Sequence, residues 1–177
     1  MKEKDPLNIV ITGVGGQGNV LLSQTIGKVL VRGGFHTTIG ETYGASQRGG
    51  AVMSHLRLSR QTQYGNPEVA VITNSRPVAV QAMGGDGAPY PTPEEIAGAL
   101  RELSSSSRVI DATNIALEIG PPVLANIVMM GALVGTGLLP VGPESFEAEL
   151  RESLPPDRLE MNLSAFRRGL AETSGTS

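Results

Sequence analysis

The sequence predicts an α/β fold, in which a parallel or mixed sheet carries helices on both faces and further helices follow at the C-terminus. An apolar run that begins at Asn8 stops in glycines near Gly18 and continues as a helical pattern, which indicates a strand, a tight turn and a helix. A second β-type run follows that helix, and two amphipathic segments end the sequence. These features together predict a Rossmann-like arrangement in three layers.

A length of 177 residues suits one domain, which we expect to span residues 1–177. Aromatic residues make up only 3% of the sequence, so the aliphatic side chains and methionine must form most of the core. The net charge of −3 argues against a dedicated nucleic-acid binder, which normally shows a basic face. We expect a cytoplasmic protein, because the first residues carry acids and lack the apolar segment of a secretory signal.

The residue types also limit the chemistry. The sequence contains no cysteine, which excludes thiol chemistry and cysteine-ligated iron–sulfur clusters on these residues. We expect no metal site and no catalytic residue, because no cluster has metal-ligand spacing and no catalytic triad can be assembled from two histidines. The apolar stretch 123–139 contains Asn126 and three glycines, and we interpret it as a buried or interface helix rather than a membrane span.

The glycine turn after the first strand has the G-x-G-x-x-G spacing at Gly13, Gly15 and Gly18. The first glycine permits the turn, the second lets a partner approach the main chain, and the third lets helix and strand pack closely. The next helix directs free N–H groups and its positive dipole end at the turn, which favours an anionic ligand. The alternative is a tight turn packed against a partner subunit. The candidate cofactor-binding residues of this turn are Gly13, Gly15, Gly16, Gln17 and Gly18.

The helix after the turn should end at Gly33–Gly34, since glycine commonly terminates helices. The run Phe35–Ile39 then predicts a second strand beside the first, which would complete a βαβ unit. Glu41 lies where a dinucleotide-binding fold places the acid for a ribose hydroxyl, roughly 20 residues past the glycines. A polar loop over Tyr43–Gly50 precedes a further strand, Ala51–Ser59, in which His55 lies on a polar face.

The remaining elements follow from local signals. Thr92 should cap a helix that has Pro93 at its first position and reaches about Leu103. Gly131 and Gly135 should let another helix approach the buried helix closely. The other predicted elements are strands at Glu68–Thr73 and Arg108–Ala112, a short helix at Thr113–Ile119, the buried helix at Val123–Leu138, and amphipathic helices at Pro143–Leu154 and Met161–Glu172, separated by Pro155 and Pro156.

The segment Gly40–Arg57 reads Gly-Glu-Thr-Tyr-Gly-Ala-Ser-Gln-Arg-Gly-Gly-Ala-Val-Met-Ser-His-Leu-Arg. It closely resembles the loop and strand signature of the gamma domain of 2-oxoacid:ferredoxin (acceptor) oxidoreductases, nearest to the indolepyruvate oxidoreductase beta subunits. The glycine turn and the segments Asn74–Pro77, Val109–Thr113 and Ala125–Gly131 resemble the same family in the same order. The resemblance therefore covers nearly the whole chain.

The resemblance implies a subunit of an enzyme that oxidatively decarboxylates a 2-oxoacid to acyl-CoA and passes electrons to ferredoxin. Such a complex uses thiamine diphosphate, iron–sulfur clusters and coenzyme A, and other domains carry most of these groups. We therefore expect this chain to bind no cofactor firmly, to be inactive alone, and to support assembly and coenzyme A access. The implied partners are a thiamine- and iron–sulfur-bearing subunit and, through the complex, ferredoxin, and the isolated chain could also form a homodimer. We expect no nucleic-acid or membrane partner.

The loop after the second strand completes the candidate cofactor-binding set. Arg48 lies between a glutamine and two glycines, where its planar guanidinium could reach a carboxylate or phosphate of a ligand, contact a partner subunit, or hold the loop to its own fold. His55 is expected to pack or hydrogen-bond rather than catalyse. The triplet Gly85–Gly87 superficially resembles a thiamine diphosphate motif, but the prolines after it favour a turn. The candidate residues added here are Glu41, Tyr43, Gln47, Arg48, Gly49 and Gly50.

Two other functions fit parts of the sequence. A stand-alone oxidoreductase could use the glycine turn for NAD or FAD, and a noncatalytic module could serve only to dock a partner. The sequence also departs from the family pattern, because only Arg60–Glu68 intervene where the family usually has a further strand and helix. A parallel crossover needs about a dozen residues or more, so this linker is too short for one.

Overall fold

The computed structural model describes residues 6–43, 50–59, 70–77 and 91–175. Five strands and two of the α-helices lie in the part of the chain up to Ile110, and helices follow from Ala112 onward. A 3₁₀ turn at Pro122–Leu124 leads into the fourth helix. The elements are β1 (Leu7–Val14), α1 (Asn19–Arg32), β2 (His36–Tyr43), β3 (Ala51–Ser59), β4 (Ala70–Asn74), α2 (Pro93–Leu103), β5 (Ser106–Ile110), α3 (Ala112–Ile119), α4 (Ala125–Gly135), α5 (Pro143–Ser153) and α6 (Pro156–Thr173).

The strands form a mixed α/β architecture. The first three strands make one sheet in the order β1-β3-β2, in which β3 is antiparallel to both neighbours. The strands β4 and β5 pair in parallel, and they contact α4 and α2, respectively. The predicted α/β class, with mixed strands, helices on both sides and C-terminal helices, is confirmed.

The neighbour predicted for β2 was wrong. The second strand does not lie beside β1, because β3 occupies the position between them and Leu56 is opposite both Ile9 and Ile39. The side chains of β3 alternate between a buried face, which includes Val52 and Leu58, and an exposed face. This alternation lets β3 pair on both edges while its apolar face packs against α1.

The main core lies between α1, the three-stranded sheet and the C-terminal helices. The inward face of α1 meets apolar side chains of β1 and β3 on one side and of α4 and α5 on the other, and α6 adds Leu163 and Phe166 to the same cluster. The rings of Phe146 and Phe166 stack with their centroids 6.1 Å apart, which joins α5 to α6. Fully buried members of this core include Ile26, Leu30, Leu56, Met130, Phe146 and Phe166.

The helices α4 and α6 are in close backbone contact. A Cβ atom at Gly169 would lie 2.9 Å from the Cα of Val128, and one at Gly131 would overlap the main-chain oxygen of Phe166. The Thr173 hydroxyl also donates to the Ala132 carbonyl at 2.7 Å. The prediction that small residues of α4 permit close helix packing is therefore confirmed, and α6 contributes a glycine of its own.

Several element ends differ from the predicted ones. The helix α6 begins at Pro156 rather than Met161, because a proline at the first helical position needs no hydrogen-bond partner. The strand β5 ends at Ile110, since Asp111 caps α3 by accepting from the Asn114 N–H at 3.4 Å. The helix α4 covers only Ala125–Gly135, with the 3₁₀ turn before it.

The predicted start of α2 is confirmed. The Thr92 hydroxyl accepts from the Glu95 N–H at 3.2 Å, while the Glu95 carboxylate accepts from the Thr92 N–H at 2.7 Å. This reciprocal capping box satisfies two main-chain donors that a helix leaves unpaired. Among the described residues, no helix combines the length and apolar character needed to cross a membrane.

Ion pairs attach α5 to its two neighbours. Arg32 at the end of α1 donates to both oxygens of Glu152, at 2.6 and 3.0 Å, and lies 2.7 Å from Oε2 of the buried Glu149. Glu147 accepts two hydrogen bonds from Arg167 of α6, at 2.8 and 2.9 Å, and a third from Arg151 at 2.5 Å. The hydrogen bonds from Arg167 lower the pKa of Glu147 to about 2.

Replacement of Gly169 by alanine should separate α4 from α6. We expect Gly169→Ala to lower the free energy of unfolding by about 2–3 kcal/mol, because the new methyl group meets rigid main-chain atoms of Val128. Gly98→Ala is the matched control: Gly98 lies within α2, no other atom of the described residues comes within 4 Å of its Cβ position, and the change should be neutral or slightly stabilising. Urea unfolding measures both variants, and equal effects would contradict the assigned contact.

The Glu147 interactions predict a pH-dependent stability. Because the folded-state pKa is lowered to about 2, the contribution of this carboxylate is complete above its unfolded pKa, near 4.5, and is lost as the pH falls toward 2. We expect Glu147→Gln to cost about 1–2 kcal/mol at pH 7, since both guanidinium groups are half exposed, and progressively less below pH 4.5. Urea unfolding across this pH range measures the difference. Glu118→Gln, which removes an exposed pair with Arg168, is the control, and a pH-independent Glu147 effect would refute the prediction.

Candidate functional site

The glycine turn connects β1 to α1 and is held by bonds within itself. The Val14 N–H donates to the side-chain oxygen of Gln17 at 2.9 Å, and the Gln17 N–H donates to the Val14 carbonyl at 3.2 Å. Gly16, between them, has φ +99°, which L residues with side chains rarely adopt. The Gln17 side chain therefore stabilises the turn by accepting a hydrogen bond from its main chain.

All three glycines of the motif are in close contacts, but the contacts of Gly13 and Gly18 differ from the predicted ones. The Gly15 N–H donates to the Gly50 carbonyl at 2.8 Å, so the backbone that approaches Gly15 belongs to the chain itself. A Cβ atom at Gly13 would overlap the side chain of Asn19. Gly18 has φ +79°, and a Cβ atom there would lie 2.5 Å from Nδ2 of Asn126. The third glycine thus makes room for α4, rather than for close packing of α1 on β1.

Asn126 connects α4 to the turn, and the sequence analysis did not assign it a role. Its side-chain amide donates to the main-chain oxygen of Gln17. This residue lies in the first turn of α4, so the position of the turn depends on the position of that helix. The only sequence signal was an amide residue within an otherwise apolar stretch.

The N-terminus of α1 faces the turn without a side-chain cap from the residues that the structure describes. Gly18 is its N-cap residue and has no side chain to cap the helix. The first turn of α1 also contains no acidic residue. A helix leaves its first N–H groups without main-chain acceptors, and the helix dipole makes this end positive. The end of α1 can therefore accept an anion.

Asn19 is a buried donor at the same place. Only 9% of this residue is exposed, and its Nδ2 has no hydrogen-bond partner among the residues that the structure describes. A buried amide without a partner is costly. Neither its burial nor its missing partner was visible in the sequence, which identifies Asn19 only as the residue after the glycine motif.

A pocket of about 390 Å³ lies over the turn. It brings Tyr43 of β2 and Val52 of β3 close to the first turn of α1. Gly50 is attached to this region by the hydrogen bond from Gly15, which lines the pocket. Of the predicted residues, the structure brings together Gly13, Gly15, Gly16, Gln17, Gly18, Tyr43 and Gly50, whereas Gln47, Arg48 and Gly49 lie outside the described residues.

Glu41 is engaged with its neighbour on β2. The Tyr43 hydroxyl donates to the Glu41 carboxylate, and this hydrogen bond raises the pKa of Tyr43. Because β3 separates β2 from β1, Glu41 lies two strand positions from the strand that carries the glycines, about 10 Å away. A dinucleotide fold would place its ribose-binding acid on the adjacent strand, so this geometry argues against the NAD interpretation.

The other residues considered from the sequence lie apart from the pocket. His55 is on the exposed face of β3, opposite Val10 and Gly40. The Asn74 amide donates to the Thr113 hydroxyl at 2.8 Å, which joins the end of β4 to the first turn of α3. Within the described ranges, no group of acidic or histidine side chains could hold a metal ion. The Gly85–Gly87 triplet lies outside these ranges.

Comparisons with known proteins agree on one family. The sequence model of the family described as pyruvate ferredoxin/flavodoxin oxidoreductase matches residues 8–172. The indolepyruvate oxidoreductase subunit IorB of Archaeoglobus fulgidus is 30% identical, over 92% of this chain and 93% of that protein. The same subunit of Thermococcus kodakarensis is 31% identical over 92% of this chain and 94% of its own length. The pyruvate synthase subunit PorC of Methanothermobacter marburgensis is 30% identical over 91% of this chain and 94% of that protein.

Solved structures show the same fold. The gamma subunit of a keto/oxoacid ferredoxin oxidoreductase from Geobacter sulfurreducens aligns with a TM-score of 0.66 and 22% identity, over 94% of this chain and 97% of that one. A 2-oxoglutarate:ferredoxin oxidoreductase from Magnetococcus marinus aligns with a TM-score of 0.71 and 20% identity, over 99% of this chain and 32% of that one.

The alignment with the Archaeoglobus subunit spans 187 positions, more than the 177 residues of this sequence, so that relative has residues without a counterpart here. The linker Arg60–Glu68 is also shorter than the family pattern, so both observations indicate residues missing from this sequence relative to its relatives. The linker itself lies outside the described residues. The match of the family model to residues 8–172 and the curated relatives at 30% identity lead to one conclusion. The chain belongs to the pyruvate ferredoxin/flavodoxin oxidoreductase family.

Proposed function

We propose that this chain is the gamma-type subunit of a 2-oxoacid:ferredoxin oxidoreductase and that residues 1–177 form one such domain. The observation that carries the proposal is the identity of about 30% to IorB subunits across 92% of the chain. Relatives named as subunits of pyruvate synthase and 2-oxoglutarate synthase match over a similar share. The complex would oxidatively decarboxylate a 2-oxoacid to acyl-CoA.

The role of this chain within the complex is binding rather than chemistry. The sequence has no cysteine to ligate an iron–sulfur cluster, and within the described ranges no side chains are grouped to hold a metal ion. The two histidines, His36 and His55, lie on exposed positions of the sheet. Thiamine diphosphate and the clusters would therefore be held by a partner subunit, which passes electrons to ferredoxin.

The pocket over the glycine turn suits a phosphate group of coenzyme A. The uncapped N–H groups at the start of α1 and the positive end of its dipole favour an anion, and the buried Asn19 amide is a further donor beside them. Tyr43 and Val52 supply one wall of the pocket. Coenzyme A, when bound, supplies the thiol that accepts the acyl group. The residues that would contact it are Gly15, Gly16, Gly18, Asn19 and Val20, with Arg48 as a further candidate.

Indolepyruvate is the substrate that we propose first. Four relatives that match over 92% of this chain are IorB subunits, whereas the pyruvate and 2-oxoglutarate synthase subunits match with lower significance. The described pocket contains no second aromatic side chain that could stack on an indole ring. Selection of the 2-oxoacid would therefore occur on the thiamine-bearing partner.

Assembly with a partner tests the proposed function. We expect this chain, co-expressed with an affinity-tagged thiamine-binding subunit from the same organism, to co-purify with it. The purified pair should reduce ferredoxin in the presence of indolepyruvate and coenzyme A, and each subunit alone should not. Elution of this chain without the tagged subunit would contradict the proposal.

A charge placed at the start of α1 tests the coenzyme A site. Val20→Asp adds a carboxylate in the first helical turn, where it stabilises the helix dipole but repels an anion in the pocket. In the assembled enzyme we expect the KM for coenzyme A to rise at least ~10-fold, which corresponds to about 1.4 kcal/mol, while the melting temperature of the isolated chain does not fall.

Val20→Asn is the matched control, because it has nearly the same size as the aspartate variant without its charge. We expect the asparagine variant to change the KM for coenzyme A by less than ~2-fold, since a neutral side chain does not alter the field at the helix end. The steady-state KM for the 2-oxoacid should be unaffected in both variants. Equal KM values for coenzyme A in the two variants would contradict the assignment of the glycine turn to the coenzyme A site.

A further inference from the structure

One face of α1 is exposed although it carries apolar side chains. Leu21 and Val31 are 65% and 57% exposed, and Gln24 and Lys28 lie between them on the surface. At 100° per residue, these four side chains fall within an arc of about 80°. They therefore form a single stripe along the outer flank of the helix.

The strand β2 lies next to this stripe. It is an outer strand of its sheet, and no strand from the described residues pairs with its free edge. Ile39 and Tyr43, which alternate onto the side of the sheet that α1 covers, are 37% and 42% exposed. An edge strand flanked by apolar groups readily pairs with another strand.

A trough of about 420 Å³ runs between the helix and the strand. It meets the pocket over the glycine turn at Gln24, which lines both. We refer to this surface as the α1–β2 trough. Its lining residues are Gln24, Gly27, Lys28, Val31, Arg32, Thr37 and Ile39.

We propose that the α1–β2 trough is a two-fold interface between two copies of this chain, in which the β2 strands pair antiparallel and the α1 helices pack antiparallel. The stripe reads apolar, polar, polar, apolar along the helix. Reversal of the helix therefore places Leu21 against Val31 of the second copy and Gln24 against Lys28 of the second copy. A two-fold interface requires such self-complementarity.

A single symmetry axis can serve the helix and the strand. The antiparallel helix pairing is centred near Ile26, and antiparallel pairing of β2 is centred on Ile39, which then lies opposite Ile39 of the second copy. These centres are adjacent in the structure, because a Cβ atom at Gly27 would lie only 2.6 Å from Cδ1 of Ile39. Because Gly27 has no side chain, the middle of β2 can pack directly against the middle of α1.

The charges along the trough also match in this arrangement. Lys28 and Arg32 lie toward the end of the trough where β2 begins, and Glu41 lies toward the end where β2 finishes. Antiparallel pairing brings Lys28 of each copy toward Glu41 of the other. Lys28 is 61% exposed, with Glu149 3.8 Å from its ammonium group, whereas Arg32 is already bound to Glu152.

Sedimentation velocity of the full chain tests the interface independently of the proposed function. We expect a dimer at micromolar concentration, and we expect Val31→Glu to raise the dissociation constant at least ~10-fold, since it brings a carboxylate into an apolar contact. Val109→Glu is the matched control, because Val109 is 59% exposed on β5, outside the trough, and this variant should remain dimeric. Circular dichroism checks that both variants are folded.

Cross-linking locates the contact. Because the sequence has no cysteine, Gln24→Cys introduces a unique thiol, which should join two copies through a short bis-maleimide. Leu117→Cys, on the exposed surface of α3, should not cross-link. A wild-type chain that stays monomeric up to ~100 μM would overturn the proposal, as would a dimer insensitive to Val31→Glu. Protection of the Gln24→Cys thiol only by a different subunit would also overturn it, in favour of that subunit as the occupant.

Discussion

The backbone contact between α4 and α6 is the constraint on which the rest of the structure depends. Gly131 and Gly169 let the two helices approach until main-chain atoms meet. This contact fixes the position of each helix, and each helix then positions other elements. The helix α4 brings Asn126 to the glycine turn. The helix α6 holds α5 through the stacked phenylalanine rings and the Glu147–Arg167 pair, and α5 in turn holds α1 through Arg32. The candidate site is therefore positioned from outside its own βα unit.

The glycine turn combines internal rigidity with an open anion-favouring end. The Gln17 side chain and the Gly50 carbonyl satisfy the main-chain groups of the turn, while the first N–H groups of α1 face the pocket without a side-chain cap. Asn19 adds a buried donor whose partner is missing among the described residues. An arrangement that is fixed before a ligand arrives loses little conformational entropy on binding. This suits a subunit that supplies a binding surface to a reaction carried out on another chain.

The distribution of exposed apolar groups agrees with membership in a multi-subunit enzyme family. The outer face of α1 carries exposed apolar side chains, and the outer edge of β2 pairs with no strand of the described residues. Single proteins usually cover or charge such an edge. The α1–β2 trough meets the site pocket at Gln24, so assembly and ligand binding would share a boundary. The chain aligns with a separate gamma subunit and also with one third of a larger oxidoreductase chain, which shows that the same fold occurs in both settings.

The sequence by itself determined most of the local structure. Glycine spacing, helical periodicity and the Thr92 cap predict β1, α1 and α2, and the segment Gly40–Arg57 indicates the family before any comparison. These features succeed because they depend on neighbours a few residues away, where main-chain geometry and side-chain capping act. The element ends were less predictable, as α6 shows, since paired prolines can both end one helix and begin the next.

Only the tertiary structure decided which strands pair and which side chains complete the site. An alternating strand such as β3 can pair on either edge, so periodicity cannot show that it separates β1 from β2. Asn126 reaches Gln17 across 109 residues of sequence, and no local pattern encodes that distance. The burial of Asn19 likewise depends on the helices packed around it. Local interactions determine which helices and strands form in this protein. Long-range packing determines which of these elements lie next to each other, and thereby which residues form the candidate site.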